Sequence, residues 1–267
     1  MSITPNVRRD AAPGVRAVSL AERMLSGGAS CSLTAWRLDS CYDLVAHGMT
    51  TDGEIVVALR PPGDCPLART PAGVGVDVRL DLVRHSRDIV LNVVASSCHL
   101  LGVMTLLEEQ AVARMVAGGE FPERIVELTR LPGTRVGRVV TDRILVHDHS
   151  GLTPVPWHAL ESDLPAFPRD DFAVHDVVVS LGQCVLKRWC CGVRLGLLPG
   201  AAEVRPSGGQ VCQHVLDRVF CVDVDRSGVT LMHIGAEETA TVFVEFASCP
   251  TSLPSLEQTV ADVANAA

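Results

Sequence analysis

Four basic side chains crowd one short segment of this chain: Arg79, Arg84, His85 and Arg87. A planar guanidinium offers paired N–H donors that match carboxylate and phosphate oxygens, and an imidazole adds a nitrogen able to exchange a proton or bind a metal. Such groups in one strand-and-loop stretch predict a cradle for an anionic ligand, either a phosphate or a propionate. The competing reading pairs Arg79 with Asp77 or Asp81 across a solvated sheet face and leaves the others as surface charges. His99, beside Cys98 in an otherwise apolar run, also reads two ways. It is either a haem-iron ligand or a core histidine bonded to a carbonyl. His147-Asp148-His149 has the residue types of a small metal patch, but strand alternation puts only the two histidines on one face.

The elements that must position these groups follow from periodicity. Val76, Val78, Leu80 and Leu82 alternate with Asp77, Arg79 and Asp81, which predicts a half-buried strand. A second apolar run carries Cys98 and His99 up to Gly102, so the cations fall where two strands of one core meet. Upstream, Ser19–Leu25 predicts a short helix with Ser19 as N-cap and Gly27-Gly28 as its stop. Ala29–Leu38 and Tyr42–Met49 read as strands, and Asp52-Gly53 marks a hairpin turn. Downstream, Leu106–Gly119 has helical spacing, Arg124–Leu131 is ambiguous, and Thr134–His149 reads as one long strand or a bent pair. Short strands at these intervals, with few helices between them, suggest an antiparallel barrel. The Pro- and acid-rich stretch Glu161–Asp171 reads as a linker. Beyond it come one amphipathic helix from Phe172 into the Cys190-Cys191 region, a Gly/Pro-rich loop over Leu198–Gly209, and a hairpin around Arg226-Ser227-Gly228. A third strand over Thr239–Phe246 and a closing helix from Ser255, with Gln258 completing a capping box, end the series.

Composition bounds the function. The chain has 267 residues, enough for one large domain or two ordinary ones. A formal charge of −8 without a sustained basic run argues against a general nucleic-acid partner. No run approaches the roughly 18 apolar residues that a membrane span needs, and the first residues carry no apolar leader, so the expectation is a soluble cytoplasmic protein. The ten cysteines lack paired ligand spacings, so most are expected to be reduced, buried, small apolar residues. A regulatory or metal role is left for Cys184, Cys190 and Cys191. Dinucleotide, Walker, zincin and hydrolase-elbow motifs are all missing.

The ordered blocks VRLDLVRHSRD and VVASSCHLLG, behind a short helix and a hairpin, resemble the split barrel of pyridoxamine-phosphate-oxidase-like flavoproteins, and more closely their haem-handling HugZ-type branch. The later blocks VDVDRSGVTLM and TATVFVEF with a closing helix are similar to the small α+β domain of unknown function shared by HugZ-like and glutamyl-tRNA-reductase-binding proteins. The resemblance implies an α+β protein, with an antiparallel split β-barrel over 15–160 and a smaller α+β domain over 172–267. It implies a homodimer with its ligand at the interface. His85-Ser86-Arg87-Asp88 stands where relatives carry a His-Thr-Arg-Asn-like segment. The HugZ-type C-terminal iron ligand has no counterpart after His233, and Phe172-Ala173-Val174-His175-Asp176 replaces the usual start of the second domain.

Three functions remain open on this reading. The first is haem or tetrapyrrole binding, with or without degradation, with propionates near Arg79, Arg84 and Arg87 and iron near His85 or His99. The second is an FMN-dependent oxidoreductase that uses the same cations for the flavin phosphate. The third is a non-enzymatic regulatory module without cofactor. With one tyrosine and three tryptophans, stacking partners for a flavin ring are few, which favours haem or no cofactor.

Overall fold

The structure, a computed structural model, describes residues 13–42, 46–161, 167–207 and 211–266. The described residues of Met1–Arg84 and Ser96–Ser162 form one compact unit, and those of His85–Ala95 and Asp163–Ala267 form another. The chain is α+β, with an antiparallel split β-barrel first and a smaller α+β unit after it.

The first unit is organised by two long strands, β5 (Gly75–His85) and β6 (Val94–Leu106). Alternation in β5 works as its sequence dictates: Val76, Val78, Leu80 and Leu82 are buried while Asp77, Arg79 and Asp81 face outward. Strands β1 (Ser30–Ala35), β2 (Ser40–Tyr42), β3 (Ala46–Met49), β4 (Ile55–Leu59) and β7 (Arg135–Val140) complete a sheet ordered β2-β1-β5-β6-β7-β4-β3. Strand β6 serves two partners. Ser97–Leu100 pair with β8 (Arg143–Asp148), which pairs on with β9 (Gly151–Pro156), while Val103–Leu106 pair with β7. Gly102 lies at the split, where a Cβ would come within 2.4 Å of the Val140 carbonyl oxygen, so no larger residue fits.

Helix α1 (Pro13–Arg23) and the wider turn Met24–Gly28 bury Leu20, Ala21, Met24 and Leu25. Ser19 is buried within this helix and does not cap it, because the helix starts a turn and a half before the first clear apolar repeat. The stop at Gly27 holds, with φ at +99°. The β3–β4 turn places Gly53 at φ +79° and closes with Gly53 N–H donating to the Thr50 carbonyl at 3.0 Å. Residues 43–45 of the strand expected at Tyr42–Met49 lie outside the described residues. A single turn, α2 (Pro66–Arg69), interrupts the loop before β5. Helices α3 (Glu109–Ala117) and α4 (Glu123–Thr129) cover β3, β4 and β7 around Ala46, Val56, Ala58, Phe121, Ile125 and Val136. Helix α3 begins later than its spacing suggests because Leu106 is still in β6. Thr134–His149 resolves into the pair β7 and β8.

The second unit packs α5 (Asp171–Val179), α6 (Gly182–Arg194) and α7 (Leu253–Ala266) with a sheet ordered β10-β13-β12-β11. Its strands are β10 (Gly200–Pro206), β11 (Arg218–Asp225), β12 (Gly228–Ile234) and β13 (Glu238–Glu245). Trp189 is fully buried among Val174, Val178, Leu186, Leu231, Val242 and Leu256. The single helix expected from Phe172 is two, broken where Gly182 takes φ +78°. The expected loop over Leu198–Gly209 contains β10. All seven of its residues are exposed, so burial imposes no alternation that a sequence could display. Helix α7 starts before Ser255: the Ser252 hydroxyl accepts from Ser255 N–H at 3.3 Å, and Gln258 bonds Asp262 instead of closing a capping box. Of the linker expected over Glu161–Asp171, residues 162–166 lie outside the described residues.

Candidate functional site

The five candidate residues do not assemble into one cradle. Alternation along β5 separates them first: Arg79 shares the outward face with Asp77 and Asp81, whereas Arg84 continues the inward series Val76, Val78, Leu80, Leu82. Arg84 is accordingly buried, and its Nη1 donates to the Gly28 carbonyl at 2.9 Å. His47, also buried, bonds the Met24 carbonyl at 2.7 Å through Nε2. Two basic side chains therefore serve carbonyls of the turn that ends α1, where orphan acceptors and the helix dipole favour cations. Arg84 is removed from the ligand set.

His85 is exposed at the end of β5. Arg87 lies in the β5–β6 connection, which belongs to the second unit. There its Nη2 pairs with Asp171 at 2.8 Å, and its guanidinium lies 5.3 Å from the centre of the Phe172 ring. The neighbouring Ser86 hydroxyl donates to the Cys221 carbonyl at 3.2 Å. Arg87 thus fastens this loop to the start of α5.

Arg79 and His99 do come together, through Asp81, which the sequence offers only as a possible partner of Arg79. Asp81 Oδ1 accepts from Arg79 Nε at 2.8 Å and Nη2 at 2.7 Å, and lies 2.5 Å from His99 Nδ1. The other ring nitrogen of His99, Nε2, is 3.3 Å from the Ser97 hydroxyl. Odd-numbered residues of β5 and β6 share the outer face, so Arg79, Asp81 and His99 lie in one row with Ser97, which is itself buried. His99 is therefore neither a core residue bonded to a carbonyl nor enclosed: its side chain is 33% exposed. The same face carries exposed Leu101 and Val103, with Val140 opposite Val103 on β7. Beneath it, burial pushes the Cys31 and Cys98 thiols up to about 12, which keeps them protonated and inert.

Elsewhere, Asp148 pairs with Arg16 at 3.1 Å, and His149 Nε2 lies 3.4 Å from Arg16 Nη1, so the His147-Asp148-His149 patch is tied to α1. Among the described residues no group of three or more His, Cys, Asp or Glu is arranged to hold a metal ion. All ten cysteines are free, but only Cys31, Cys98, Cys190 and Cys221 are buried, fewer than expected. Cys65 is the chemically distinct one. Partial burial raises its thiol, but hydrogen bonds from the Tyr42 hydroxyl, the Ala68 and Leu67 N–H groups and Ser40 outweigh that and leave it below the ordinary cysteine value. Burial and that same bond push the Tyr42 hydroxyl up to about 12. A cavity of about 530 Å³ lies between the β3–β4 turn and the end of β7, lined by Glu54, Arg138 and Trp157 among others. None of the five candidates reaches it.

No protein-family model matches the chain, and no curated protein matches it. Among solved structures it is similar to a heme binding protein from Mycobacterium smegmatis, at 14% identity over 97% of this chain and 98% of that one, with a TM-score of 0.51. It is also similar to a protein of unknown function from Agrobacterium tumefaciens (18% identity, 97% of this chain and 100% of that one, TM-score 0.37). A third is General Stress Protein 26 from Bacillus anthracis (11%, 49% and 92%, TM-score 0.31). At such identities the likeness shows the fold alone, and the weight rests on the first. That fold is split-barrel-like. No helix among the described residues is long and apolar enough to cross a membrane.

Proposed function

We propose that this chain is a haem- or tetrapyrrole-binding protein that acts as a homodimer, with His99 as the iron-binding side chain. The observation that carries the reading is the His99 imidazole, held by Asp81 at Nδ1 on an outward sheet face. A histidine whose one nitrogen is engaged by a carboxylate offers the other, here Nε2, as a metal ligand once the Ser97 hydroxyl, 3.3 Å away, turns from it. Leu101, Val103 and Val140 on the same face suit an apolar macrocycle, and the heme-binding fold neighbour is compatible with it. When bound, haem would supply the iron and the redox chemistry; the chain supplies the ligating nitrogen, its orientation and an apolar surface.

Because this face is open, a second copy of the chain would supply the other wall. That agrees with a dimer of barrels in the resembling family. Arg79 remains in reach of an acidic ligand group only in part, since two of its N–H donors are taken by Asp81. His85 and Arg87 have no assigned role in this reading, and no residue is assigned to haem degradation. An FMN site is the weaker alternative, because the cations meant for the flavin phosphate are divided between the sheet's two faces and the second unit. The proposed domain limits are 15–160 and 172–267, with the loop His85–Ala95 grouped with the second unit.

The test is a hemin titration of purified protein followed by visible spectroscopy. The expected result is a Soret band displaced from that of free hemin, saturating at about one haem per subunit and lost in His99→Ala. A spectrum identical to free hemin, or a displaced band that survives His99→Ala, overturns the reading. Flavin absorbance after incubation with FMN would favour the alternative.

A further inference from the structure

We infer that Asp81 and Arg79 are positioning residues that set the electron-donating strength of His99, acting in opposite directions. The inference rests on the haem-binding reading only for its second measurement.

One carboxylate oxygen, Asp81 Oδ1, lies within hydrogen-bond distance of three nitrogens: Arg79 Nε at 2.8 Å, Arg79 Nη2 at 2.7 Å and His99 Nδ1 at 2.5 Å. A deprotonated carboxylate can only accept, so the contact to His99 requires a proton on Nδ1. That fixes the tautomer. The ring's lone pair is then on Nε2, where the Ser97 hydroxyl at 3.3 Å donates to it. A carboxylate drawing on the Nδ1 proton makes Nε2 a stronger donor toward whatever it binds. Arg79 works against this, because two N–H groups on the same oxygen take up part of its negative charge.

The arrangement is fixed by the sheet. Arg79 and Asp81 are two apart on β5 and therefore side by side on one face, as are Ser97 and His99 on β6. The Asp81 side chain is 21% exposed and that of His99 33%, so water screens the group only in part. A bland account makes Arg79–Asp81 an ordinary surface ion pair that merely lies near a histidine. The two accounts differ in one respect: a surface pair has no hold on the tautomer of His99.

Nitrogen NMR of histidine-labelled protein without haem reads that tautomer. The Nδ1–H form of His99 is expected to exceed the Nε2–H form by on the order of tenfold or more, since the bond is to a charged acceptor. Asp81→Asn should abolish that preference, and Asp81→Glu should keep it. A wild-type His99 in the Nε2–H form, or a preference unaffected by Asp81→Asn, overturns the role of Asp81 whether or not haem binds. The second measurement is the midpoint potential of hemin-loaded protein. It should rise in Asp81→Asn and fall in Arg79→Gln. Arg79→Lys separates geometry from charge, because it keeps the cation but loses the two-pronged contact. A fall toward the Arg79→Gln value supports the assignment, and a potential equal to wild type overturns the role of Arg79. Failure of wild-type protein to bind hemin would remove the ligand reading and the role of Arg79 with it, while the tautomer decides the role of Asp81.

Discussion

Arg84→Met is the substitution that most directly separates a ligand-binding arginine from a structural one. The side chain is buried to 3% exposure, and its Nη1 donates at 2.9 Å to the Gly28 carbonyl at the end of the turn that follows α1. Methionine keeps most of the aliphatic stem, so the packing loss is small. What disappears is a charge-assisted hydrogen bond, worth about 1.5–3 kcal/mol, together with a cation at the C-terminal end of a helical segment, worth some tenths more. The exposed carbonyl regains part of this from water if the turn relaxes. The net cost should be about 2–3 kcal/mol, or roughly 30- to 150-fold in the unfolding equilibrium at about 1.4 kcal/mol per tenfold. Urea unfolding followed by far-ultraviolet circular dichroism and by intrinsic fluorescence reads this cost, the two probes showing whether the two units melt together. The folded variant should bind hemin as wild type does. Unchanged stability combined with lost hemin binding would refute the reasoning and return Arg84 to the site.

Two further outcomes follow from the geometry. At neutral pH, iodoacetamide should label Cys65 ahead of every other thiol, because the thiolate is the reactive form and Cys65 is the one held below the ordinary value. Tyr42→Phe should slow that labelling, whereas Cys31, Cys98, Cys190 and Cys221 should react only on unfolding, and mass spectrometry of a time course would detect any other order. Gly182→Ala should lower stability by about 1–2 kcal/mol, since φ there is +78° and open space around the new methyl group leaves backbone strain as the cost. A melting temperature equal to wild type would show that the α5–α6 break needs no glycine.

How far the sequence could reveal the site depended on whether each feature left a local trace. The strand at Val76–Leu82 was legible because one buried face forces a period of two, and the Asp52-Gly53 turn because a positive φ selects glycine. The same alternation already held the fate of Arg84: counted on from Leu82 it falls on the inner face, opposite to Arg79. Residue type and nearness in sequence group the four basic residues, but strand parity divides Arg84 from Arg79. The helix break at Gly182 and the strand β10 were harder. An apolar face continues across the break, and β10 buries none of its residues and so shows no alternation.

The Asp81–His99 contact could not be read locally, because it depends on how β5 and β6 are aligned, and no spacing within either strand encodes that. Each of the three arginines has an acceptor within its reach, two of them on β5 and one in the loop that follows it. Arg84 meets the carbonyl of Gly28, Arg87 the carboxylate of Asp171, and Arg79 the carboxylate of Asp81. A site built on the remaining side chain is therefore not a nest of positive charge. Asp81 balances Arg79, which leaves His99 Nε2 and the apolar residues around it as the recognising chemistry. Coordination and ring contact, more than attraction for propionates, would then hold a tetrapyrrole on this face.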